Sequence, residues 1–368
     1  MKINILLPFK EKFDIDKASS VSITVKNNLY YTKYLDDIRI YGQIVDKPIF
    51  KENFTGFNYS LLAFKSRNKF LAHEMLKMIS TSTDKNQVIE IHNRPYLINQ
   101  ITKASKFPVS LFFHNDPQTM KGSKSIKDRQ NILKKCTYIF CVSEFIKNKF
   151  LDGISDNFEK IHVLHNGVER KLNKIPSKKN KVIFVGRLVP EKGVDLYVDV
   201  VKDIAHKFPD WQFCLIGSTR LGDSRVLGSF ASNVIEKFKS IGNQAEFHGF
   251  KNQKFVQKQM KTSSIIVIPS RWEEPFGLVA AEAMSNGIAI IASKIGGIPE
   301  IVKKNGILIE VMNKSKLINE LERLILNPDI RKFFQKASWD NFNSHAKNSS
   351  QKLDKFREKI LFNKFIDN

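Results

Sequence analysis

The chain alternates, almost from end to end, between short apolar runs rich in β-branched residues and longer segments with helical periodicity. The predicted strands of the first half read INILLP, IRIYG, QVIEIH, PVSLFFH, TYIFCVS and KIHVLH, and those of the second half read KVIFVGRLV, WQFCLIG, AEFHGF, SSIIVIPS, GIAIIAS and GILIEV. Strands that alternate with helices form parallel sheets covered by helices on both faces. The pattern therefore predicts an α/β protein. One predicted helix covers residues 60–80, and the chain reads as helical from Lys314 to its end.

A length of 368 residues is long for a single core and favours two domains. The polar segment from Arg170 to Lys181 separates the two series of strands. We predict two doubly wound, Rossmann-like domains that face one another across a cleft, because ligands of such sheets bind outside the carboxyl ends of the strands. The expected boundaries are 1–170 for the N-terminal domain, 171–180 for a linker, 181–345 for the C-terminal domain and 346–368 for a helix that folds back on the first domain.

The chain is strongly basic, with 60 Lys plus Arg against 37 Asp plus Glu and a net charge of +23. The basic residues are spread along the whole sequence, and it contains no zinc-finger pattern or aromatic RNA-binding signature, so no nucleic-acid partner is expected. Attraction to an anionic membrane surface fits the charge better. No apolar run has the length of a signal peptide or a spanning helix, so we expect a cytoplasmic protein at the inner face of a membrane. The three cysteines show no metal-ligand spacing and are predicted to be buried in a reducing compartment.

The segment SRWEEPFGLVAAEAMSNG carries two glutamates eight residues apart, Glu274 and Glu282. We predict a buried strand before it and a helix that begins near Pro275, with Gly277 allowing a ligand close to the backbone. The free backbone N–H groups at such a helix start form a binding site for an anion such as phosphate. Glu274 precedes this anion site, and Glu282 lies two turns inside the expected helix.

A carboxylate in the apolar stretch LVAAEAM is costly unless it is paired, and a diol is a suitable partner for it. We interpret the two glutamates as binding hydroxyls at the two ends of a molecule with phosphates between them, which is a nucleotide sugar. The structural alternative is a capping Glu274 and a salt-bridged Glu282. In FVGRLVPEKGVD, Arg187 and Lys192 follow a strand, where two cations neutralise a diphosphate.

These motifs, with VLHNGV before the linker and VS after the fifth strand, resemble the retaining GT-B glycosyltransferases of glycosyltransferase family four, also called glycosyl transferases group 1. The resemblance implies that Arg187 and Lys192 hold the donor diphosphate, that Glu274 contacts sugar hydroxyls and that Glu282 contacts ribose hydroxyls. The remaining donor-site residues that it implies are Gly186, Phe250, Phe276, Gly277, Leu278 and Val279. It also implies front-face attack with retention of configuration, in which the leaving phosphate takes the acceptor proton. No dedicated base, metal or other cofactor is then needed.

Two histidines end predicted strands of the first half, His92 in EIHNRP and His114 in FFHNDP. The ends of these strands point towards the ligand side of the sheet. The resemblance places His114 where the family often has a histidine that touches the donor sugar. We expect His114 to be catalytic and His92, Asp116 and Arg94 to contact the sugar or the acceptor.

The loop after the first strand, PFKEKFDIDKASSVS, departs from the family because it contains no glycine. Ser19 or Ser20 is expected to cap the following helix and to present amides to the acceptor. The same loop contains Asp14 and Asp16, an Asp-x-Asp pair of the kind that binds metal in other glycosyltransferases. Its place so early in the chain favours capping, and no metal requirement is predicted.

The leading hypothesis is a glycosyltransferase that moves a sugar from a nucleotide-sugar donor to a surface glycan, namely lipopolysaccharide, capsule or a lipid-linked saccharide. A sugar-nucleotide epimerase or a phosphorylase with the same fold is the first alternative, because the predicted anion site would also bind free phosphate. The second alternative is a non-catalytic protein that binds polyanions through its charge.

Overall fold

The computed structural model describes residues 1–59, 66–155, 158–219 and 228–366. They fold as two compact units, Met1–Gly167 together with Ala346–Asn368, and Val168–His345. The chain thus leaves the first unit after Gly167 and returns to it at Ala346. Lys179 and Asn180, expected in the linker, instead begin a strand. Of the helix predicted at 60–80, residues 60–65 lie outside the described part of the chain and the helix itself begins at Arg67.

Regular elements follow one another in strict alternation through most of the described residues. The strands are β1 (Lys2–Leu6), β2 (Ile38–Gln43), β3 (Phe54–Phe57), β4 (Gln87–His92), β5 (Val109–Phe113), β6 (Tyr138–Cys141), β7 (Ile161–Val163), β8 (Lys179–Val185), β9 (Gln212–Ile216), β10 (Ala245–Gly249), β11 (Ser263–Ile268), β12 (Ala289–Ser293) and β13 (Ile307–Ile309). The α-helices are α1 (Ser20–Leu29), α2 (Arg67–Ser80), α3 (Ile98–Ala104), α4 (Ile126–Lys135), α5 (Glu144–Leu151), α6 (Val194–Ile204), α7 (Ser229–Lys239), α8 (Gln253–Thr262), α9 (Leu278–Ser285), α10 (Ile298–Val302), α11 (Lys314–Leu326), α12 (Pro328–Asp340) and α13 (Ala346–Ile366).

The first unit contains a parallel sheet in the order β3-β2-β1-β4-β5-β6-β7. The chain builds outward from β1 to β3 and then crosses back to place β4 beside β1. Strand β3 was missed by the sequence analysis because it is a four-residue edge strand, half-buried along its length and interrupted by Gly56. The inner strands are apolar on both faces, as expected for strands between two helical layers.

Helix α13 belongs to this first unit and covers the sheet with an apolar face that includes Leu353 and Ile360. Its Arg357 is buried and makes a bidentate ion pair with Glu90 of β4, with both contacts at 2.8 Å. Arg357 also donates to Asp354 on its own helix, at 2.9 Å. These contacts fix α13 on the sheet by apolar packing and by paired charges together.

The second unit repeats the topology with six parallel strands in the order β10-β9-β8-β11-β12-β13. The six strands predicted for this half are confirmed. Its core is formed by the apolar faces of β8, β9 and β11 against α6, α7 and α11. The predicted α/β class with two Rossmann-like parallel sheets is therefore confirmed.

All three cysteines, Cys136, Cys141 and Cys214, are buried and unpaired, as predicted. Within the part of the chain that the structure describes, no helix combines the length and the apolar character that crossing a bilayer requires.

Candidate active site

The second unit brings its predicted site residues to one edge of the sheet. Strands β8 and β11 are neighbours, and the chain reverses its direction of sheet growth between them. Ligands of doubly wound sheets bind at this switch point, beyond the carboxyl ends of the strands. The loop after β8 carries Arg187 and Lys192, and the loop after β11 carries Glu274.

Lys192 and Glu274 are in direct contact across this switch point. The Nζ of Lys192 donates a hydrogen bond to Oε1 of Glu274, and the Ser270 hydroxyl donates to the same oxygen at 2.8 Å. Both charged side chains are mostly buried, with 21% and 16% of their surface exposed. The ammonium of Lys192 and the carboxylate of Glu274 thus lie side by side, and part of each side chain still reaches solvent.

Backbone contacts hold the two loops together. The Glu191 carbonyl accepts from the N–H groups of Arg271 and Trp272, at 2.8 and 3.1 Å. Gly193 has φ of +65°, and a Cβ there would lie 1.9 Å from the carbonyl oxygen of Pro269. Only glycine therefore allows the turn that carries Lys192 to approach the end of β11 this closely.

A third loop, after β12, supports Glu274 from the other side. Gly297 N–H donates to the Glu274 carbonyl at 2.7 Å. Gly296 has φ of +59°, and a Cβ on it would come within 2.6 Å of the Glu274 backbone nitrogen. The sequence analysis missed this glycine pair, although two adjacent glycines in the short loop after a buried strand are a readable signal of close backbone approach.

Helix α9 begins at Leu278 and not near Pro275, so the predicted helix start is wrong by three residues. Gly277 is the N-cap with φ of +92°, a left-handed conformation that breaks the helix before it reaches Pro275. Phe276 is buried beneath the turn, while Leu278 and Val279 are half-buried. The first amides of α9 therefore follow a glycine that has no side chain to shield them.

Glu282 is the fifth residue of α9, about 6 Å along the helix axis from Leu278. It therefore lies about one turn into the helix and not two turns as predicted. Its side chain is 6% exposed and accepts a hydrogen bond from Nε2 of Gln253 at 3.3 Å. Gln253 opens α8, and the half-buried Phe250 lies in the short loop between β10 and that helix. Gln253, which the sequence analysis did not single out, thus contacts Glu282 and directly follows the loop that contains Phe250.

Arg187 is exposed directly after β8 and makes no hydrogen bond or ion pair with the described residues. The preceding Gly186 continues the strand edge, where its N–H donates to the Ile216 carbonyl at 3.1 Å. Unlike Lys192, the arginine therefore has no carboxylate partner among the described residues of its unit.

The first unit has an equivalent edge, where β1, β4 and β5 end side by side. His92 ends β4 and His114 follows β5, and Nδ1 of His92 lies 2.8 Å from Nε2 of His114. The rings stack on one another, and His92 also stacks on Phe112. Burial lowers the pKa of His114 to about 4, and burial together with the neighbouring His114 and Arg357 holds the pKa of His92 well below its usual value. Both rings are neutral at physiological pH.

Asn93 fixes the backbone between these histidines. It is 2% exposed and adopts a left-handed φ of +53°. Its Oδ1 accepts the backbone N–H of His114 at 2.8 Å, and its carbonyl accepts from Arg94 at 2.6 Å. The strained asparagine was not predicted, and it orients both His114 and the guanidinium of Arg94.

Glu11 lies in the glycine-free loop after β1, and the sequence analysis missed it. Its carboxylate accepts hydrogen bonds from the Ser19 hydroxyl and from the backbone N–H of Val21 in the first turn of α1. Burial raises the pKa of Glu11 to about 7, against the opposing effects of Arg94 and the Val21 N–H. Ser19 occupies the N-cap position as expected, but its side chain does not cap the helix. Glu11 does so in its place.

Two other predicted residues have local structural contacts. Asp116 caps the short turn at Pro117–Thr119 by accepting from the Gln118 N–H at 2.8 Å. Asp14 is buried and accepts backbone N–H groups of Asp16 and Lys47, at 2.9 and 3.1 Å. These contacts give Asp14 a structural role in the loop.

Cys214, Glu246 and His248 form a cluster in the second unit whose ligand atoms lie within 4.8 Å of one another. Lys181, however, places its ammonium 2.7 Å from the Glu246 carboxylate. Burial also raises the pKa of the Cys214 thiol to about 12. The cluster already contains a cation and a protonated thiol, which is an unfavourable arrangement for a metal ion.

Residues 165–339 match the family model described as "Glycosyl transferases group 1". This matched stretch, the group 1 segment, covers slightly less than half of the chain.

Relatives of the group 1 segment extend into the first unit. An uncharacterized glycosyltransferase of Methanocaldococcus jannaschii is 35% identical over 212 residues, which are 55% of this chain and 56% of the relative. The chain thus spans about half the length of that relative. The lipopolysaccharide 1,2-N-acetylglucosaminetransferase of Salmonella typhimurium is 26% identical over 275 residues, 71% of each protein.

The Anabaena protein HepE, solved in complex with UDP-glucose, has the same fold. It superposes with a TM-score of 0.72 at 17% identity over 98% of this chain and all of that chain. The GT-B fold that accompanies the group 1 family is thereby confirmed. The group 1 segment contains the whole of the Lys192–Glu274 arrangement and Glu282, whereas the histidine pair and Glu11 lie outside it.

Proposed function

We propose that the protein is a retaining glycosyltransferase of family four that uses a nucleotide-sugar donor. The observation that carries the proposal is the contact of Lys192 with Glu274 at the switch point of the second sheet, immediately before the N-terminus of α9. A lysine at this place neutralises the diphosphate that leaves the sugar, and a carboxylate beside it accepts hydrogen bonds from sugar hydroxyls. Arg187, exposed after β8, supplies the second positive charge.

Glu282 binds the ribose in this proposal. Its carboxylate is buried beside Gln253, and a vicinal diol is a bidentate partner that offsets the cost of desolvating it. The N-terminus of α9, opened by Gly277, then receives the phosphates between ribose and sugar. Gly186 and the backbone of Phe276, Leu278 and Val279 line this donor site, and Phe250 borders the base.

In this proposal the first unit binds the acceptor. His92 ends β4, and Arg94 and His114 follow β4 and β5. Glu11 lies in the loop after β1, where its carboxylate accepts from the Ser19 hydroxyl. Front-face attack requires the acceptor hydroxyl to be aligned with the donor sugar. The leaving phosphate takes the acceptor proton, so the reaction depends on alignment and charge stabilisation and not on a metal. EDTA is therefore expected to leave activity intact, and abolition of activity by the chelator would contradict this step.

The acceptor is proposed to be a growing surface glycan, presented at the inner face of a membrane. The net charge of +23 supports a location beside anionic lipid, and the likeness to a lipopolysaccharide transferase supports the acceptor class. A peripheral, cytoplasmic enzyme follows from these two observations together.

Thermal unfolding with UDP, GDP, ADP and CMP, followed by their sugar conjugates, tests the donor site. A nucleotide at 100 times its dissociation constant adds about 2.7 kcal/mol to the free energy of unfolding. We expect one nucleotide to stabilise the wild type and to lose most of this effect in Glu282→Gln. The matched control is Glu310→Gln, which removes an exposed carboxylate of the same unit.

Equal stabilisation by every polyanion, abolished by salt and insensitive to Glu282→Gln, would refute the donor site. Product analysis then separates the reactions that use this fold. A transferase needs an acceptor, an epimerase turns over without one, and a phosphorylase consumes inorganic phosphate.

A further inference from the structure

The histidine pair of the first unit extends inward to a small cavity behind the sheet edge. Nε2 of His92 is buried and has no hydrogen-bond partner among the described residues, and the same is true of Oδ1 of Asn28 on α1. Both side chains line one cavity, together with Glu90, Arg357 and apolar residues of β1, α1 and α13. The cavity has room for a single water molecule, and buried waters bind where polar groups are otherwise unsatisfied.

Besides the guanidinium of Arg357, the polar groups that line this cavity with His92 are acceptors. Asn28 presents its carbonyl oxygen, and Glu90 presents a carboxylate. The guanidinium of Arg357 donates to Glu90, to Asp354 and to the Thr32 hydroxyl. A water that donated its two hydrogens to the oxygens of Asn28 and Glu90 would accept from His92. The proton of His92 would then belong on Nε2.

This position of the His92 proton determines which ring nitrogen of His114 is protonated. Each neutral imidazole carries one proton, so a His92 with its proton on Nε2 has a lone pair on Nδ1. Because Nδ1 of His92 lies 2.8 Å from Nε2 of His114, His114 must donate from Nε2. Its Nδ1 then carries a lone pair and is the nitrogen left for a ligand.

We propose that His92 and Asn28, through a water in this cavity, hold His114 in the Nε2–H tautomer, so that His114 accepts a hydrogen bond from a sugar hydroxyl and cannot donate one. The tautomer assignment stands on the geometry of the first unit alone. The hydroxyl contact rests on the proposed function, with His92 and Asn28 as positioning residues.

Nitrogen-15 NMR of the ligand-free, full-length protein labelled on histidine tests the assignment at pH 7, since two-bond couplings distinguish Nε2–H from Nδ1–H. We expect both His92 and His114 in the Nε2–H form, by about ten to one or more, because the other arrangement leaves a buried polar group unsatisfied. A dominant Nδ1–H form on either ring would overturn the proposal. The result is independent of any transferase activity, so it cannot be confused with a failure of the proposed function.

Variants separate a tautomer effect from a packing effect. Asn28→Leu removes the acceptor at similar volume and is expected to raise the Nδ1–H fraction of His114, whereas Val25→Ala, which trims an apolar wall of the same cavity, is not. His92→Asn keeps an acceptor oxygen close to the position of Nδ1 and should preserve the Nε2–H form of His114, which His92→Leu should lose. An unchanged His114 spectrum in both Asn28→Leu and His92→Leu would also overturn the proposal.

Discussion

Lys192 donates a hydrogen bond to the same carboxylate oxygen of Glu274 that accepts from the Ser270 hydroxyl. The two charges come from loops that are 82 residues apart in sequence and meet at the switch point of one sheet. In the ligand-free protein each charge neutralises the other. In the proposed mechanism, a donor diphosphate would compete for the lysine and leave the carboxylate to bind hydroxyls.

Lys192→Ala is expected to lower kcat by about 10² to 10³, because the lost charge stabilises the leaving diphosphate mainly in the transition state. Lys192→Arg should retain part of the activity, and Glu274→Gln should weaken sugar-nucleotide binding more than nucleotide binding. Lys294→Ala removes an exposed, ion-paired lysine of the same unit and is the control. Steady-state kinetics with the donor found by thermal unfolding measures each effect. Equal activity of Lys192→Ala and Lys294→Ala would exclude the lysine from catalysis.

His114→Ala is expected to reduce turnover far more than nucleotide affinity, because His114 belongs to the sugar and acceptor side of the proposed site. The comparison is between kcat of the variant and the nucleotide dissociation constant measured by calorimetry. Asp128→Asn, which changes the capping box of α4 in the same unit, should have a small effect on both. Wild-type turnover in His114→Ala would remove this residue from the mechanism.

Glu11 is expected to make the stability of the protein depend on pH. Its pKa is raised from 4.5 to about 7 in the folded state, so the folded protein binds its proton more tightly than the unfolded chain. The free energy of unfolding therefore falls as pH rises from about 4.5 to 7, by at most about 3 kcal/mol. Glu11→Gln should lose less stability than the wild type between pH 5 and pH 8, as measured by urea denaturation at the two values.

The control for Glu11 is Glu52→Gln, which neutralises an exposed carboxylate of the same unit. It should keep the pH dependence of the wild type. Identical slopes for all three proteins would show that Glu11 titrates normally.

The buried pair of Arg357 and Glu90 is expected to bind α13 to the first unit. Arg357→Leu leaves the Glu90 carboxylate buried without its counter-charge and should cost about 3 to 5 kcal/mol of stability. The double variant Arg357→Leu with Glu90→Leu should recover most of this loss, because neither charge then remains buried alone. Chemical denaturation of the three variants measures the coupling, and additive losses would contradict it.

The protein is expected to bind vesicles that contain anionic lipid and to be released by salt. With a net charge of +23, each basic residue near the surface contributes about 1 kcal/mol, and the attraction decreases with ionic strength. Co-sedimentation with anionic and with neutral vesicles, at low and at high salt, provides the measurement. Equal binding to both kinds of vesicle would argue against an electrostatic association.

The sequence by itself determined the fold class and the sheet edge at which the proposed site residues lie. Alternating strand and helix periodicity predicts parallel sheets, and in such sheets every residue just after a strand lies at the same edge. Arg187, Lys192, Glu274, His92 and His114 could therefore be assigned to the ligand side before any contact was known. The start of α9 was placed too early, because the left-handed conformation of Gly277 outweighs the preference of Pro275 for a first helical turn.

Only the tertiary structure decided which of these residues touch and how they ionise. The carboxylate that caps α1 belongs to Glu11 of the preceding loop, and the arginine that neutralises Glu90 stands 267 residues away on the last helix. The apolar strand around Glu90 indicates burial, but nothing in the local pattern of either glutamate reveals its partner, since partners are properties of the packed chain. Local sequence sets backbone periodicity, but the protonation and hydrogen bonding of a side chain depend on neighbours that only long-range packing brings together.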